Sequence, residues 1–442
     1  MPLVSNWVKI LLVYNYTVVE PLGVLVLADY LERNGHEADI IDYQSLEKTN
    51  GFDYGSYDFV GFSILTGSHN QMLKIADTIR GKTKVVIGGP HAISFSEECK
   101  KHVDFVVRGF GEKILLKILN GEIADGGIYS EPTPPKDIFI SSRAKFYRDE
   151  KRKNNPLKNV ITSFCCPFRC TYCYNSIVQK EFSNYRYGQR PVDSVVKECQ
   201  TLLKYPLKVI VFQDDTFGVD LAWLKEFIPR YKKEVNIPFH CNIRIELANE
   251  ERVKLLKEGG CISVTFAIES ASEKIRKELL NRFMTDEQIF AGVEMLKKYE
   301  LPFRTFQILG LPTTTVQDDL DLIRMNCKIK PLIAWTSIFS PLRGTPLAEF
   351  CVKNGYYDGK NDDIADTLFS HSVLNFPEER KRQIVILNRL SVILTHLPGG
   401  DKLAEELVEN YCDNLDDFYK AVKFHLYDIM HELDKEDGSK TR

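Results

Sequence analysis

The 442-residue chain has no uninterrupted apolar run of the roughly 18 residues that a membrane-spanning helix needs. It has no excess of either charge. Its 58 Lys and Arg stand against 61 Asp and Glu, a formal net charge of −3, which gives no electrostatic basis for holding nucleic acid. The opening Met1-Pro2-Leu3-Val4-Ser5-Asn6-Trp7 has neither the basic nor the apolar region of a secretory signal. The 11 cysteines show no disulfide framework, and Cys99, Cys199, Cys241, Cys261, Cys327, Cys351 and Cys412 are scattered singly. That scatter argues against paired-cysteine zinc sites and for a reducing, cytoplasmic setting. Hydrophobic residues at 44% and charged residues at 27% are ordinary for a globular protein, and the length exceeds one core, so two or three domains are expected.

Of the remaining four cysteines, three lie in Cys166-Pro167-Phe168-Arg169-Cys170-Thr171-Tyr172-Cys173 and Cys165 adjoins them. Three thiolates so close in the chain can hold three corners of an iron–sulfur cube and leave its fourth iron open to a small molecule. An exposed cluster of that kind requires low oxygen. Cys165 cannot replace Cys166 without breaking the spacing and is expected to be buried packing.

Short apolar runs at 9–13, 38–42, 59–65, 85–87 and 105–109 alternate with helical periodicity, as at 24–35, and predict a doubly wound parallel sheet. Ligands bind such sheets at the carboxyl ends of the strands. Pro132-Thr133-Pro134-Pro135 reads as a stiff linker, and the basic run Lys151-Arg152-Lys153 as a solvated loop. Strands at 160–163, 208–212, 239–244, 263–268, 304–309 and 334–339 then predict six β/α units, a partial barrel with its site at the carboxyl rim. Beyond residue 350 the chain turns helical at 378–396 and 402–432, with a polar tail. Tyr356, Tyr357, His371 and His396 are candidates to face a substrate there, although ordinary packing explains each of them.

The C-x3-C-x2-C spacing, with Tyr172 before the third cysteine, resembles the signature of the radical S-adenosylmethionine superfamily. Asp214-Asp215-Thr216-Phe217, Ile268-Glu269-Ser270-Ala271 and Gly310-Leu311-Pro312 follow successive strands in that superfamily's order. Ser63-Ile64-Leu65, Thr66, Gly67, Gly88-Gly89, His91, Gly109, Gly111 and Glu112 resemble the strand ends of cobalamin-binding domains. Their first element, D-x-H-x-x-G, aligns with Val18-Val19-Glu20-Pro21-Leu22-Gly23, so the glycine survives and Glu20 stands where histidine would ligate cobalt from below. The chain is thus similar to cobalamin-dependent radical S-adenosylmethionine enzymes of the class B methyltransferase type.

That resemblance implies an α/β fold: a Rossmann-like cobalamin-binding domain at 1–130, a linker at 131–158, a partial (β/α)6 barrel at 159–350 and a helical cap at 351–442. It implies a 4Fe–4S cluster on Cys166, Cys170 and Cys173, with S-adenosylmethionine on the open iron and cobalamin lacking a histidine lower ligand from the first loop. Asp214 or Gln213 would accept from the cosubstrate's ammonium, Arg244 would pair its carboxylate, Glu269 would grip the ribose hydroxyls, and Tyr172, Ile308 and Gly310 would hold adenine. Glu20, Gly23, Ser63, Leu65, Thr66, Gly67, Gly88, Gly89, His91, Gly109, Gly111 and Glu112 would meet the corrinoid, His91 as a loop hydrogen-bonder rather than a cobalt ligand. Asp215 alternatively caps the next helix, Glu269 is alternatively a cap, and His69 caps the helix after it.

The implied reaction moves a methyl group from S-adenosylmethionine through methylcobalamin to an unactivated carbon that a 5′-deoxyadenosyl radical has activated. The substrate would be a small molecule, lipid, tetrapyrrole or peptide, and flavodoxin or ferredoxin would supply electrons. Rivals are a non-methylating cyclisation, ring contraction or oxygen insertion on the same cofactors, and a non-catalytic corrinoid-binding protein. A methylthiotransferase would carry a second three-cysteine cluster near its N-terminus, where only Cys99 occurs.

Overall fold

The computed structural model describes residues 7–16, 19–48, 51–134, 138–182, 187–360 and 370–409. The chain divides into two compact units. One holds Met1–Phe168, Tyr174–Asp214 and Pro229–Ile237; the other holds Arg169–Cys173, Asp215–Ile228 and Pro238–Arg442.

In the first unit β1 (Lys9–Tyr14), β2 (Glu37–Asp42), β3 (Phe59–Ser63), β4 (Lys84–Gly88), β5 (Phe105–Gly109) and β6 (Gly127–Glu131) form a parallel sheet in the order β2-β1-β3-β4-β5-β6. The period-2 geometry of a strand sends Ile10, Leu12 and Tyr14 into one apolar layer and Leu11 and Val13 into the other. Burial on both faces is why these strands read as continuous apolar runs. The sixth strand was not legible, because Gly127–Glu131 is a half-buried edge with no apolar run.

The segment expected to be a linker contributes to the first unit's core. Ile138, Ile140, Phe146 and Tyr147 are buried in the same layer as Leu12; Pro135 lies outside the described residues. The basic run is not a solvated loop either. It forms the short helix Glu150–Lys153, in which the Arg152 guanidinium lies 4.7 Å from the Tyr16 ring centroid and pairs with Asp42 at 3.0 Å. A planar, weakly hydrated guanidinium stacks on aromatic faces where a lysine would stay in water.

The first unit also contains the parallel pair β7 (Leu157–Val160) and β10 (Val209–Phe212), and a short hairpin of β8 (Ser163–Phe164) with β9 (Gly188–Gln189). The strand expected at 160–163 ends at Val160, because the Thr162 N–H and the Thr162 and Ser163 hydroxyls turn to the Asp214 carboxylate.

In the second unit β11 (Phe239–Asn242), β12 (Cys261–Glu269), β13 (Phe303–Leu309) and β14 (Ile333–Ile338) run parallel in chain order. The crossover helices Glu250–Gly259, Asp286–Lys298 and Val316–Ile329 start at Asn249, Thr285 and Thr315, whose short polar side chains suit the first orphan N–H groups of a helix. The helix Leu221–Glu234 is capped by Asp220, which accepts from the Ala222 and Trp223 N–H groups, and not by Asp215. Helices Glu378–Leu394 and Gly400–Glu409 follow, the first tied to β14 by the Asn388 amide donating to the Thr336 carbonyl at 2.9 Å. Among the described residues no helix is long and apolar enough to cross a membrane. The helical region expected beyond residue 409 lies outside them.

Candidate functional site

A cavity of about 290 Å³ opens at the carboxyl ends of the strands in the first unit, as expected for a doubly wound sheet. Gly23, Ser63, Gly88, Gly89, Gly109, Gly111 and Glu112 line it, with apolar walls from Leu12, Val86, Val107, Leu115, Phe110 and Phe164. Two of the glycines are required by geometry. Gly89 has φ +91°, and a Cβ there would lie 2.8 Å from the Ile64 nitrogen and 3.2 Å from Ser63 Oγ; Gly109 has φ +84°, and its Cβ would lie 2.3 Å from the Glu131 carbonyl oxygen. Such a slot suits a flat bicyclic base on an extended tail and is too small for a corrin macrocycle. The residues therefore fit the nucleotide tail of cobalamin.

Glu20, Leu65, Thr66, Gly67 and His91 do not line that cavity. His91 is not a loop residue: it lies in the helix Pro90–Ser94, is 1% exposed, hydrogen-bonds Thr66 Oγ1 through Nδ1 at 3.0 Å and stacks between His69 and Phe95. Burial pushes its imidazole down to about 3, which keeps it neutral. His69 is not a cap by its side chain toward the helix. Ser68 holds the N-cap position, and His69 Nδ1 accepts from the Gly67 N–H at 3.2 Å.

Glu20 is turned into a buried charge network. Its carboxylate accepts from Arg143, from the Tyr147 hydroxyl and from the Asn159 N–H at 3.2 Å. Arg143, fully buried, also donates to Glu198 at 2.8 Å, and Glu198 accepts from Arg190 at 2.7 Å. The residue standing where a lower-ligand histidine would lie is thus committed to the protein interior.

The division between the units falls inside the cysteine loop, with Cys166 in the first and Cys170 and Cys173 in the second. In the first unit Gln179 Nε2 donates to the Cys166 and Phe168 carbonyls at 2.6 and 3.1 Å, pinning the loop's start. Cys165 is buried, as its spare position implied. The ten described cysteines form no disulfide. Among the described residues no group of three or more His, Cys, Asp or Glu side chains converges on a single metal ion. Thiolates of a cube each ligate a different iron and stand farther apart than that.

In the second unit Cys170 Sγ lies 3.7 Å from Arg244 Nη1 and 3.9 Å from Arg282 Nη1. Two guanidiniums beside one sulfur would offset the negative charge of an iron–sulfur centre held there, so this corner fits a cluster. The Tyr172 hydroxyl donates to Glu269 Oε1 at 2.6 Å and accepts from Arg282 Nη1 at 3.3 Å. Glu269 ends β12 where the register slips between Ala267 and Glu269, and it holds φ +68°. A bulge with a left-handed non-glycine residue re-aims a side chain at a cost that tends to persist at functional positions. Burial raises the Glu269 carboxyl above its usual range, opposed by Arg282, the Tyr172 hydrogen bond and Arg244.

Of the residues expected around the cosubstrate, the structure gathers Tyr172, Arg244 and Glu269 about Cys170. Ile308 packs, with Tyr172, against the apolar cluster of Leu280, Leu311, Phe339 and Tyr357. Gly310 donates its N–H to Asp319 at 3.2 Å, and Asp319 is paired with Arg380 at 2.6 Å. Asp214 is not available as an acceptor for an ammonium group. It is fully buried, and its carboxylate is spent on Thr162 and Ser163. Gln213 closes β10, its N–H donating to the Val160 carbonyl at 2.8 Å. Arg282 was missed. It lies far from the cysteines in sequence, in a run without a chemical motif, and only the fold brings it to Tyr172 and Cys170. Tyr356 and Tyr357 pack in the apolar cluster, His371 is exposed, and His396 Nε2 bonds the Leu332 carbonyl.

Known protein families match both parts of the chain. The family model for the radical SAM superfamily matches residues 160–325 and that for the B12 binding domain matches residues 8–119. The chain is 30% identical over 371 residues to an uncharacterised methyltransferase of Pyrococcus horikoshii, covering 76% of this chain and 79% of that protein. It is 23% identical over 444 residues to the cytidylyl-2-hydroxyethylphosphonate methyltransferase of Streptomyces wedmorensis, covering 81% and 82%. Its fold is similar to that of the radical S-adenosylmethionine methyltransferase TsrM of Kitasatospora setae, solved with cobalamin and a 4Fe–4S cluster bound (TM-score 0.64, 17% identity, 79% of each chain). The chain therefore belongs to the cobalamin-dependent radical S-adenosylmethionine family, of the methyltransferase type, whose cofactors are a 4Fe–4S cluster, S-adenosylmethionine and cobalamin.

Proposed function

We propose that this enzyme methylates an unactivated carbon of its substrate. The observation that carries the reading is one chain holding both a glycine-lined cavity at the strand ends of a B12-binding-type domain and a three-cysteine loop whose central sulfur is flanked by two guanidiniums. When bound, cobalamin would supply a methyl carrier, and the cluster would supply the electron for making a radical from S-adenosylmethionine.

The chain's part is to bind and orient. Cys166, Cys170 and Cys173 hold the cluster. Arg244 and Arg282 neutralise charge at Cys170, and Arg244 is also placed to pair the cosubstrate carboxylate. Glu269, held by Tyr172, grips the ribose hydroxyls, while Ile308 and the Gly310 turn form the adenine wall. Gln213 takes the ammonium role that the buried Asp214 cannot. Gly23, Ser63, Gly88, Gly89, Gly109 and Gly111 cradle the corrinoid tail.

In this reading residues 1–130 form the cobalamin-binding domain, 159–350 the barrel and 351–442 a cap that shapes the pocket, with 131–158 joining them and completing the first core. The substrate is a small organic molecule, a flavodoxin- or ferredoxin-type donor supplies the electron, and the enzyme works in the cytoplasm. The test is replacement of Cys166, Cys170 and Cys173 by alanine together. Product should vanish while cobalamin binding persists, and unchanged turnover would overturn the reading.

A further inference from the structure

The cavity of the first unit is lined by glycine and apolar side chains apart from Ser63 and Glu112. Glu112 is the one ionisable residue among its described lining residues. It sits in the first turn of the helix Gly111–Leu119, is 5% exposed, and its Oε2 has no hydrogen-bond partner among the described residues. A buried carboxyl oxygen without a partner is costly to leave so, and native structures rarely do without a reason. Burial also pushes this carboxyl up to about 7, the nearby Glu131 adding to the rise and Lys113 opposing it, so near neutrality it carries a proton for a substantial part of the time.

The lower base of cobalamin is a benzimidazole attached to its ribose through one ring nitrogen. When that base is detached from cobalt, its second ring nitrogen is a bare acceptor. Buried in an apolar slot, that nitrogen needs a donor, and the slot has two polar side chains to offer.

We infer that Glu112 is the specificity-determining residue of the corrinoid tail site: its unpartnered carboxyl oxygen shares a proton with the free ring nitrogen of the detached lower base, so the site selects cobamides whose lower base has such a nitrogen over cobamides whose lower base is a phenol joined through oxygen. The inference rests on the cobalamin assignment and goes beyond it, to which corrinoid is accepted and by which atom. A phenol-based cobamide would leave the carboxyl oxygen as unpartnered as it is without ligand and so lose one buried hydrogen bond.

The test uses the full chain, held anaerobically, and spectral titration with three probes: cobalamin, a p-cresol-based cobamide, and cobinamide, which has no lower base. The wild type should bind cobalamin at least about tenfold more tightly than the phenol-based cobamide, a difference of about 1.4 kcal/mol. Glu112→Leu should bring the two within about twofold while leaving cobinamide affinity unchanged. Glu112→Gln, which keeps an N–H donor and nearly the same shape, should retain most of the preference and covers the case in which the leucine variant does not fold. Equal affinity of the wild type for the two cobamides would overturn the inference, as would an undiminished ratio in Glu112→Leu. Failure of the wild type to bind any of the three probes would overturn the cobalamin assignment itself, an outcome distinct from binding without discrimination.

Discussion

Replacing Arg143 by methionine should unfold the first unit's corner while leaving the second unit intact. The Arg143 side chain is 0% exposed and serves two carboxylates, Glu20 and Glu198, themselves 7% and 0% exposed. Its removal leaves Glu20 with the Tyr147 hydroxyl and the Asn159 N–H, and Glu198 with Arg190. Breaking a buried ion pair by deleting one partner costs about 3–5 kcal/mol, because a desolvated charge loses its compensation. Against a typical folding stability of about 5–15 kcal/mol that is a large loss. Native-state hydrogen exchange reads it locally. Amides of β1, β3 and β4 that open with this core should lose about two to more than three powers of ten in protection, and those of β12 and β13 should change little. Adding Glu20→Gln to Arg143→Met should restore part of the loss, since it removes one stranded charge, and the double-mutant cycle should show strong coupling. A loss below about 1 kcal/mol in Arg143→Met, or additivity with Glu20→Gln, would refute the claim that this buried network commits Glu20 to the interior.

Three further outcomes follow from the same geometry. Gly89→Ala forces a Cβ against the Ile64 backbone at a φ of +91°, so cobalamin binding should weaken at least about tenfold and stability should fall by about 1–3 kcal/mol, measured by titration and denaturation. Arg282→Ala removes a guanidinium from both Cys170 and Tyr172; cluster occupancy after reconstitution, read by iron content and electron paramagnetic resonance, should drop, whereas Arg282→Lys should recover charge but not the geometry at Tyr172. Because the folded Glu112 carboxyl is raised to about 7, its contribution to stability is complete below the ordinary carboxylate range and is lost as pH rises through 7. The protein without cofactor should therefore lose about 3 kcal/mol more than Glu112→Gln between pH 4.5 and 8, with Lys113 and Glu131 as the neighbouring charges.

The sheet of the first unit was legible because buried parallel strands are apolar on both faces, and the cysteine loop because its spacing is chemically specific. Strand β6 was hidden by its half-buried edge, and the packed stretch around Ile138 and Phe146 by its proximity to a proline cluster that reads as linker. Asp214 was misassigned because an acidic residue after a strand can serve a ligand or its own backbone, and only the contacts with Thr162 and Ser163 decide which. Glu20 was read as a corrinoid contact standing where a histidine would be, but its carboxylate pairs with Arg143, more than a hundred residues away and beyond the reach of local pattern. Arg282 was missed for the same reason: its partners Cys170 and Tyr172 are remote in sequence.

The most direct test of the methyltransferase reading needs no substrate. The protein is reconstituted anaerobically with iron, sulfide and cobalamin, then given reductant and methyl-labelled S-adenosylmethionine. Formation of labelled methylcobalamin and S-adenosylhomocysteine, with 5′-deoxyadenosine from a second cleavage, is the predicted result. 5′-Deoxyadenosine alone, with no label on cobalamin, would contradict methyl transfer and favour a rearranging or oxidising enzyme built on the same cofactors.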